Sequence, residues 1–148
     1  MRGPLISFVK FLVFVLILNV IRYALGGLIE KFLIFGPLFG AMEKSASCFN
    51  TQFSTWDWAT SYFYNFMMWF TTAWVFAQMD PVLKGNPVLK SLKVYGLMFL
   101  MFASISAIYM NHYRHPKDFY FYNILDALLV FPLVAIANGL LYPLLFKK

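Results

Sequence analysis

Few residues in this chain have the chemistry and the spacing to form a site. Asp126 is a carboxylate that opens onto an apolar stretch, and Asn123 stands three positions before it. On a helix that spacing puts both side chains on one face. A carboxylate held in hydrocarbon is expensive, so Asp126 is expected to face other helices and to meet a cation. Arg22, near the end of the first apolar stretch, is the natural candidate. Two readings of Asp126, Asn123 and Arg22 stay open: a structural ion pair or interfacial carboxylate, and a proton-coupling or ligand site.

His112, His115 and Asp118 form a second constellation, H-x-x-H-x-x-D. Imidazole and carboxylate are proper ligands for zinc or copper, and two histidines three residues apart share a helical face. Pro116 interrupts the helix before the aspartate, so ordinary interfacial histidines are the plainer reading. No cofactor is implied; zinc or copper is the only metal the pattern would suit. A haem gripped from opposite helices is excluded, because the chain has only 2 histidines and they are neighbours.

Nothing else carries a catalytic signature. There is no glycine-rich phosphate loop, no G-x-S-x-G elbow and no H-E-x-x-H. A non-enzymatic role is the expectation.

The elements that must position these residues are membrane helices. The chain of 148 residues is 61% hydrophobic and 12% charged, about half the usual charged share of a soluble domain. No charged side chain occurs from Trp58 to Met79 or from Ala127 to Phe146. At about 1.5 Å per residue each run reaches roughly 30 Å, the thickness of a bilayer core. The expected architecture is an all-α integral membrane protein in one domain, residues 1–148. It is a four-transmembrane-helix bundle with helices at about 4–24, 55–79, 88–113 and 118–146. Residues 28–42, interrupted by Glu30, Lys31 and Pro37, extend the first helix or form a short interfacial or re-entrant piece. The N-terminal stretch reads as an uncleaved first helix and not as a secretory signal, for want of a small-x-small cleavage site.

Local signals fix several ends. Ser54-Thr55-Trp56-Asp57 has the spacing of a capping box. Asp80-Pro81 stops the second helix, and Lys90 and Lys93 are expected to snorkel outwards from the third. Pro132 is expected to bend the fourth. Ala103 and Ala107 make a small-x-x-x-small stripe suited to close helix packing, and Gly36 and Gly40 offer another. Asn138 is expected to cement helices by a hydrogen bond.

The net charge of +6 reflects 12 cations against 6 acids, and the cations are spread over helix ends and loops, which fits membrane topogenesis far better than a nucleic-acid patch. With four spans, Arg2, Lys10, Lys84, Lys90, Lys93, Lys147 and Lys148 share one side. Arg22, Lys31, Lys44, Arg114 and Lys117 share the other. Both termini are therefore expected in the cytoplasm. The single cysteine, Cys48, precludes an internal disulfide.

Three functions are consistent with this pattern. The first is a non-catalytic membrane subunit or assembly protein, packed against lipids and against membrane-protein partners or further copies of itself. The second is a small proton-coupled transporter built on Asp126. The third is a membrane metal protein or enzyme built on His112 and His115.

Overall fold

The computed structural model of the chain describes residues 4–49, 52–113 and 116–146. Arg2, Arg114, His115, Lys147 and Lys148 lie outside the described residues, and with them part of the charge count and of the histidine motif. The described chain is all-helical and without strands. In order it forms α1 (Pro4–Ile21), a π-helical turn (Arg22–Gly26), α2 (Gly27–Leu33), α3 (Phe35–Glu43), a 3₁₀ turn (Ala46–Cys48), α4 (Thr55–Met79), α5 (Pro87–His112) and α6 (Lys117–Phe146).

Three helices, not four, are both long and apolar enough to cross a membrane: Ser7–Leu33 taken through the π-turn, α5 and α6. The expected fourth span, α4, has the length and lacks the hydropathy. Its charge-free run is built of Trp, Tyr, Thr, Asn and Gln among the aliphatics and phenylalanines, and these transfer into hydrocarbon far less readily than Leu or Ile. Freedom from charge and apolarity are different properties, and α4 has the first without the second.

The first helix also departs from expectation. It does not end at about residue 24 but continues to Leu33 through the π-turn, which closes at Gly26. A break follows at Ile34, whose buried side chain anchors the joint before α3 begins. Residues 28–33 are thus an extension of the first helix, while 35–43 form a separate piece. The helix starts follow their caps. Ser54 Oγ accepts from the Asp57 N–H at 3.2 Å and Asp57 Oδ2 accepts from the Ser54 N–H at 2.8 Å, completing the expected box. Asn86 Oδ1 accepts from the Leu89 N–H at 2.8 Å, and Pro87 takes the first turn, where no N–H is needed.

One buried apolar cluster gathers Phe14, Val15 and Leu18 of α1, Trp69, Ala73 and Phe76 of α4, Val94 and Tyr95 of α5, and Val130, Phe131, Val134 and Ala135 of α6. Neighbouring helices run antiparallel. Lys10 Nζ donates to the Leu145 carbonyl, joining the start of α1 to the end of α6. At the opposite end Tyr23 meets Tyr62 edge-on at 5.6 Å, and Lys44 pairs with Asp118 at 3.8 Å.

Packing between α5 and α6 is set by Gly139. A Cβ there would stand 2.5 Å from Val88 Cα and 2.9 Å from the Pro87 carbonyl oxygen, so only glycine allows this approach. One residue earlier, buried Asn138 donates to Ser91 Oγ at 2.9 Å. The tight crossing therefore lies at the start of α5, whereas the half-buried Ala103 and Ala107 sit nearer its end. Gly36 and Gly40 face open space, and a Cβ added at either would meet nothing within 4 Å.

One further expectation is corrected by polar contacts. Lys90 does not snorkel. Its Nζ donates to the Asp80 carbonyl at 2.7 Å and pairs with Asp80 Oδ1 at 3.2 Å, capping the end of α4 from the start of α5. The charge of Lys90 there complements the negative end of the α4 dipole. Pro132 lies within α6, which stays helical from Lys117 to Phe146 and also contains Pro143.

Candidate functional site

The site is assembled by the π-turn. In a regular helix Arg22 and Glu30, eight residues apart, would point about 80° away from each other. A π-turn holds one residue more than an α-turn, so the separation acts like seven residues and closes to about 20°. The two side chains then face along one side of the α1–α2 rod. Arg22 Nη2 donates to Glu30 Oε1 at 2.5 Å and Arg22 Nη1 to Glu30 Oε2 at 3.3 Å. The side chains are 13% and 4% exposed, which makes this a buried, two-pronged ion pair.

Gly26, inside the turn, is buried where the rod lies against α6. A Cβ there would meet Val130 and Leu133 at 3.7 Å. That contact brings the rod alongside α6 and presents Glu30 to Asp126. The Asp126 carboxyl lies near enough to both the Glu30 carboxylate and the Arg22 guanidinium to feel their charges. Asp126 Oδ1 and Arg22 Nε are buried and have no hydrogen-bond partner among the described residues.

Arg22 and Asp126 are therefore neighbours, as the sequence suggested, but the salt bridge of Arg22 goes to Glu30. Glu30 was missed because its spacing from Arg22 is wrong for a regular helix and because it sits in a segment that looks interfacial. The Gly26-Gly27 pair was the only local hint that the helix geometry changes there.

Beside the cluster lies a cavity of about 310 Å³ to which all the long helices contribute. Arg22 enters from the π-turn at the end of α1, Asn65, Met68 and Trp69 from α4, Phe102 from α5, and Asn123, Asp126 and Phe131 from α6. Asn123 donates through Nδ2 to the Phe119 carbonyl at 3.0 Å, leaving its own Oδ1 as an acceptor. Trp69 Nε1 donates to Asn65 Oδ1 at 2.8 Å, and the Trp69 and Phe131 rings meet at 4.9 Å. The result is a small chamber with aromatic walls and one carboxyl group whose charge Arg22 only partly meets.

The histidine constellation is drawn elsewhere. The His112 ring bonds through Nδ1 to the Ile108 carbonyl oxygen at 2.8 Å, and exposed Asp118 pairs with Lys44. His115 lies outside the described residues. Among the described residues no group of three His, Cys, Asp or Glu side chains is placed to hold a metal ion. No family model, no curated protein and no solved structure matches this chain.

Proposed function

We propose that the chain is an integral membrane protein with all of α1–α2, α4, α5 and α6 crossing the bilayer, and that it works as a small proton-coupled carrier through Asp126. What supports four crossings is the bond from Lys10 to the Leu145 carbonyl. It puts the two ends of the described chain at one pole, and an odd number of crossings would separate them. The moderate hydropathy of α4 is tolerable when its partners shield one face, as they do at Trp69, Thr72, Ala73 and Phe76. Both termini then lie on the cytoplasmic side by the distribution of Lys and Arg.

The observation that carries the functional reading is the meeting of Asp126, Glu30 and Arg22 beside a chamber. Asp126 is about 14 Å along α6 from Lys117 and about 8 Å from the middle of that helix. A hydrocarbon core of roughly 30 Å centred on α6 would enclose it. Two carboxylates and one guanidinium leave a negative charge at that depth, and taking up one proton removes it. Release of that proton to the aqueous phase, in exchange for a solute, is the step a coupled carrier needs.

Current transients on solid-supported membranes test this without knowledge of the solute. A jump to acid pH should give a brief inward charge displacement in the parent protein as a proton enters the site. Asp126→Asn should abolish it, while Asp118→Asn, which alters an exposed pair, should not. A transient equal in the parent and in Asp126→Asn would remove the reading.

A second reading rests on a separate observation. Trp56, Trp58, Tyr62, Phe63 and Tyr64 are all exposed at the start of α4. Such a face suits an aromatic belt at headgroup depth or contact with a membrane-protein partner or another copy of the chain. In that case the protein is a non-catalytic subunit, and native membranes solubilised in mild detergent would yield it in a stoichiometric complex. A monodisperse monomer would count against it.

A further inference from the structure

We infer that the chamber beside Asp126 binds a monovalent organic cation of the alkylammonium type, with an aromatic or aliphatic body, in place of the proton. This rests on the carrier reading and names its solute class. The chamber, about 310 Å³, is at the small end of ordinary ligand sites. Its one acidic group is Asp126, beside the amides of Asn65 and Asn123. Asp126 Oδ1 has no hydrogen-bond partner among the described residues, and Asn123, which gives one N–H to Phe119, keeps its carbonyl oxygen as an acceptor. The cation already present, Arg22, is engaged by Glu30 through both terminal nitrogens, so the carboxyl group of Asp126 is the one left to be neutralised.

The remaining walls are rings and a thioether. Trp69, Phe102, Phe131 and Met68 line the chamber, and the Trp69 and Phe131 rings lie 4.9 Å apart. Aromatic faces attract an ammonium group through the ring quadrupole, most strongly where water is scarce. An anion would meet the unpaired Asp126 carboxyl oxygen, and a neutral solute would leave its charge unmet. A small inorganic cation would need several oxygen ligands, which the rings do not supply. An organic cation matches both the carboxyl and the rings.

The exchange is balanced in charge and atoms. The cation enters as the Asp126 carboxyl group loses its proton to the aqueous phase, and the net charge of the cluster plus chamber is unchanged. No covalent bond between heavy atoms forms or breaks.

The probe is benzyltrimethylammonium, with neopentylbenzene, its neutral carbon isostere, as the comparison. The purified full chain in weakly buffered detergent is titrated with each while pH and tryptophan fluorescence are followed. The inference expects saturable quenching by the ammonium compound with one proton released per cation bound, and no proton release with the isostere. Asp126→Asn should weaken binding by about tenfold and abolish proton release. Phe102→Leu, away from the ion pair, should weaken binding and leave the proton stoichiometry intact.

Equal quenching by the cation and the isostere overturns the inference, and that comparison uses only the parent protein, so it holds even where Asp126→Asn fails to fold. Proton release by sodium or potassium chloride at matched concentration also overturns it. An acid-jump transient that depends on Asp126, together with no binding of benzyltrimethylammonium, rejects this solute class and leaves the proton site standing. Absence of both rejects the two readings together.

Discussion

Arg22 and Glu30 face one another at 2.5 Å although they are eight residues apart on one continuous rod, because the turn from Arg22 to Gly26 is π-helical. The extra residue in that turn rotates the following helix and converts two misaligned charges into an ion pair. Asp126, carried on a different helix, then shares the pair. The three groups form a unit, and their energetics are expected to be non-additive.

That coupling is measurable. Arg22→Leu removes the cation and leaves the Glu30 and Asp126 carboxyls facing each other in a buried setting. The expected loss of stability is about 3–5 kcal/mol, as for other broken buried pairs. Adding Glu30→Leu should recover part of it, since the second change removes one of the stranded acids. Thermal melts of the two single variants and the double variant give the coupling. Losses that simply add would mean that the residues do not act on each other.

Gly139 gives a second prediction, about packing alone. Gly139→Ala forces a methyl group against the backbone of Val88 and Pro87 and should cost about 1–3 kcal/mol, as overpacking typically does. Gly36→Ala and Gly40→Ala fill open space on α3 and should be neutral or stabilising by up to about 1 kcal/mol. Melting temperatures in the same detergent decide. The reverse ranking would contradict the crossing of α5 and α6 described above.

Topology can be read from the lone cysteine. Cys48 is exposed, in the turn after α3, at the pole opposite the Lys10–Leu145 contact. In right-side-out vesicles a membrane-impermeant maleimide should label it from outside. In a Cys48→Ser background, Lys84→Cys in the α4–α5 connection should be labelled only after the vesicles are opened. Labelling of both positions from the same side would mean that α4 does not cross.

The parts of this fold that depend on local rules were legible in the residues. The capping box at Ser54 and Asp57, the stop at Asp80-Pro81 and the long apolar stretches of α5 and α6 follow from spacing and hydropathy, and each appears within a residue or so of its expected place. Asn138 also meets a partner helix, as a lone amide in an apolar run must. The misses have a common cause. Glu30, the π-turn and the Gly139 crossing depend on how one helix lies against another, and hydrophobic periodicity is silent about a change of helix type. The pairing of Lys90 with Asp80 was hidden for a similar reason: a lysine near a helix start has an outward route in sequence, and only the neighbouring helix end offers it an inward one. In α4, absence of charge was mistaken for apolarity, which the tyrosines, tryptophans and amides contradict.

The central claim is that the Asp126 carboxyl takes up and gives up a proton within the cluster. Infrared difference spectroscopy of the protein in lipid, between acid and alkaline buffers, observes this step directly, because a protonated carboxyl has its own carbonyl stretch. The account predicts a carboxylic-acid band that appears at acid pH, shifts in deuterium oxide, vanishes in Asp126→Asn and changes frequency in Glu30→Gln, where the neighbouring negative charge is removed. A spectrum in which the acid band is unchanged by Asp126→Asn, or in which no such band appears at all, would contradict it.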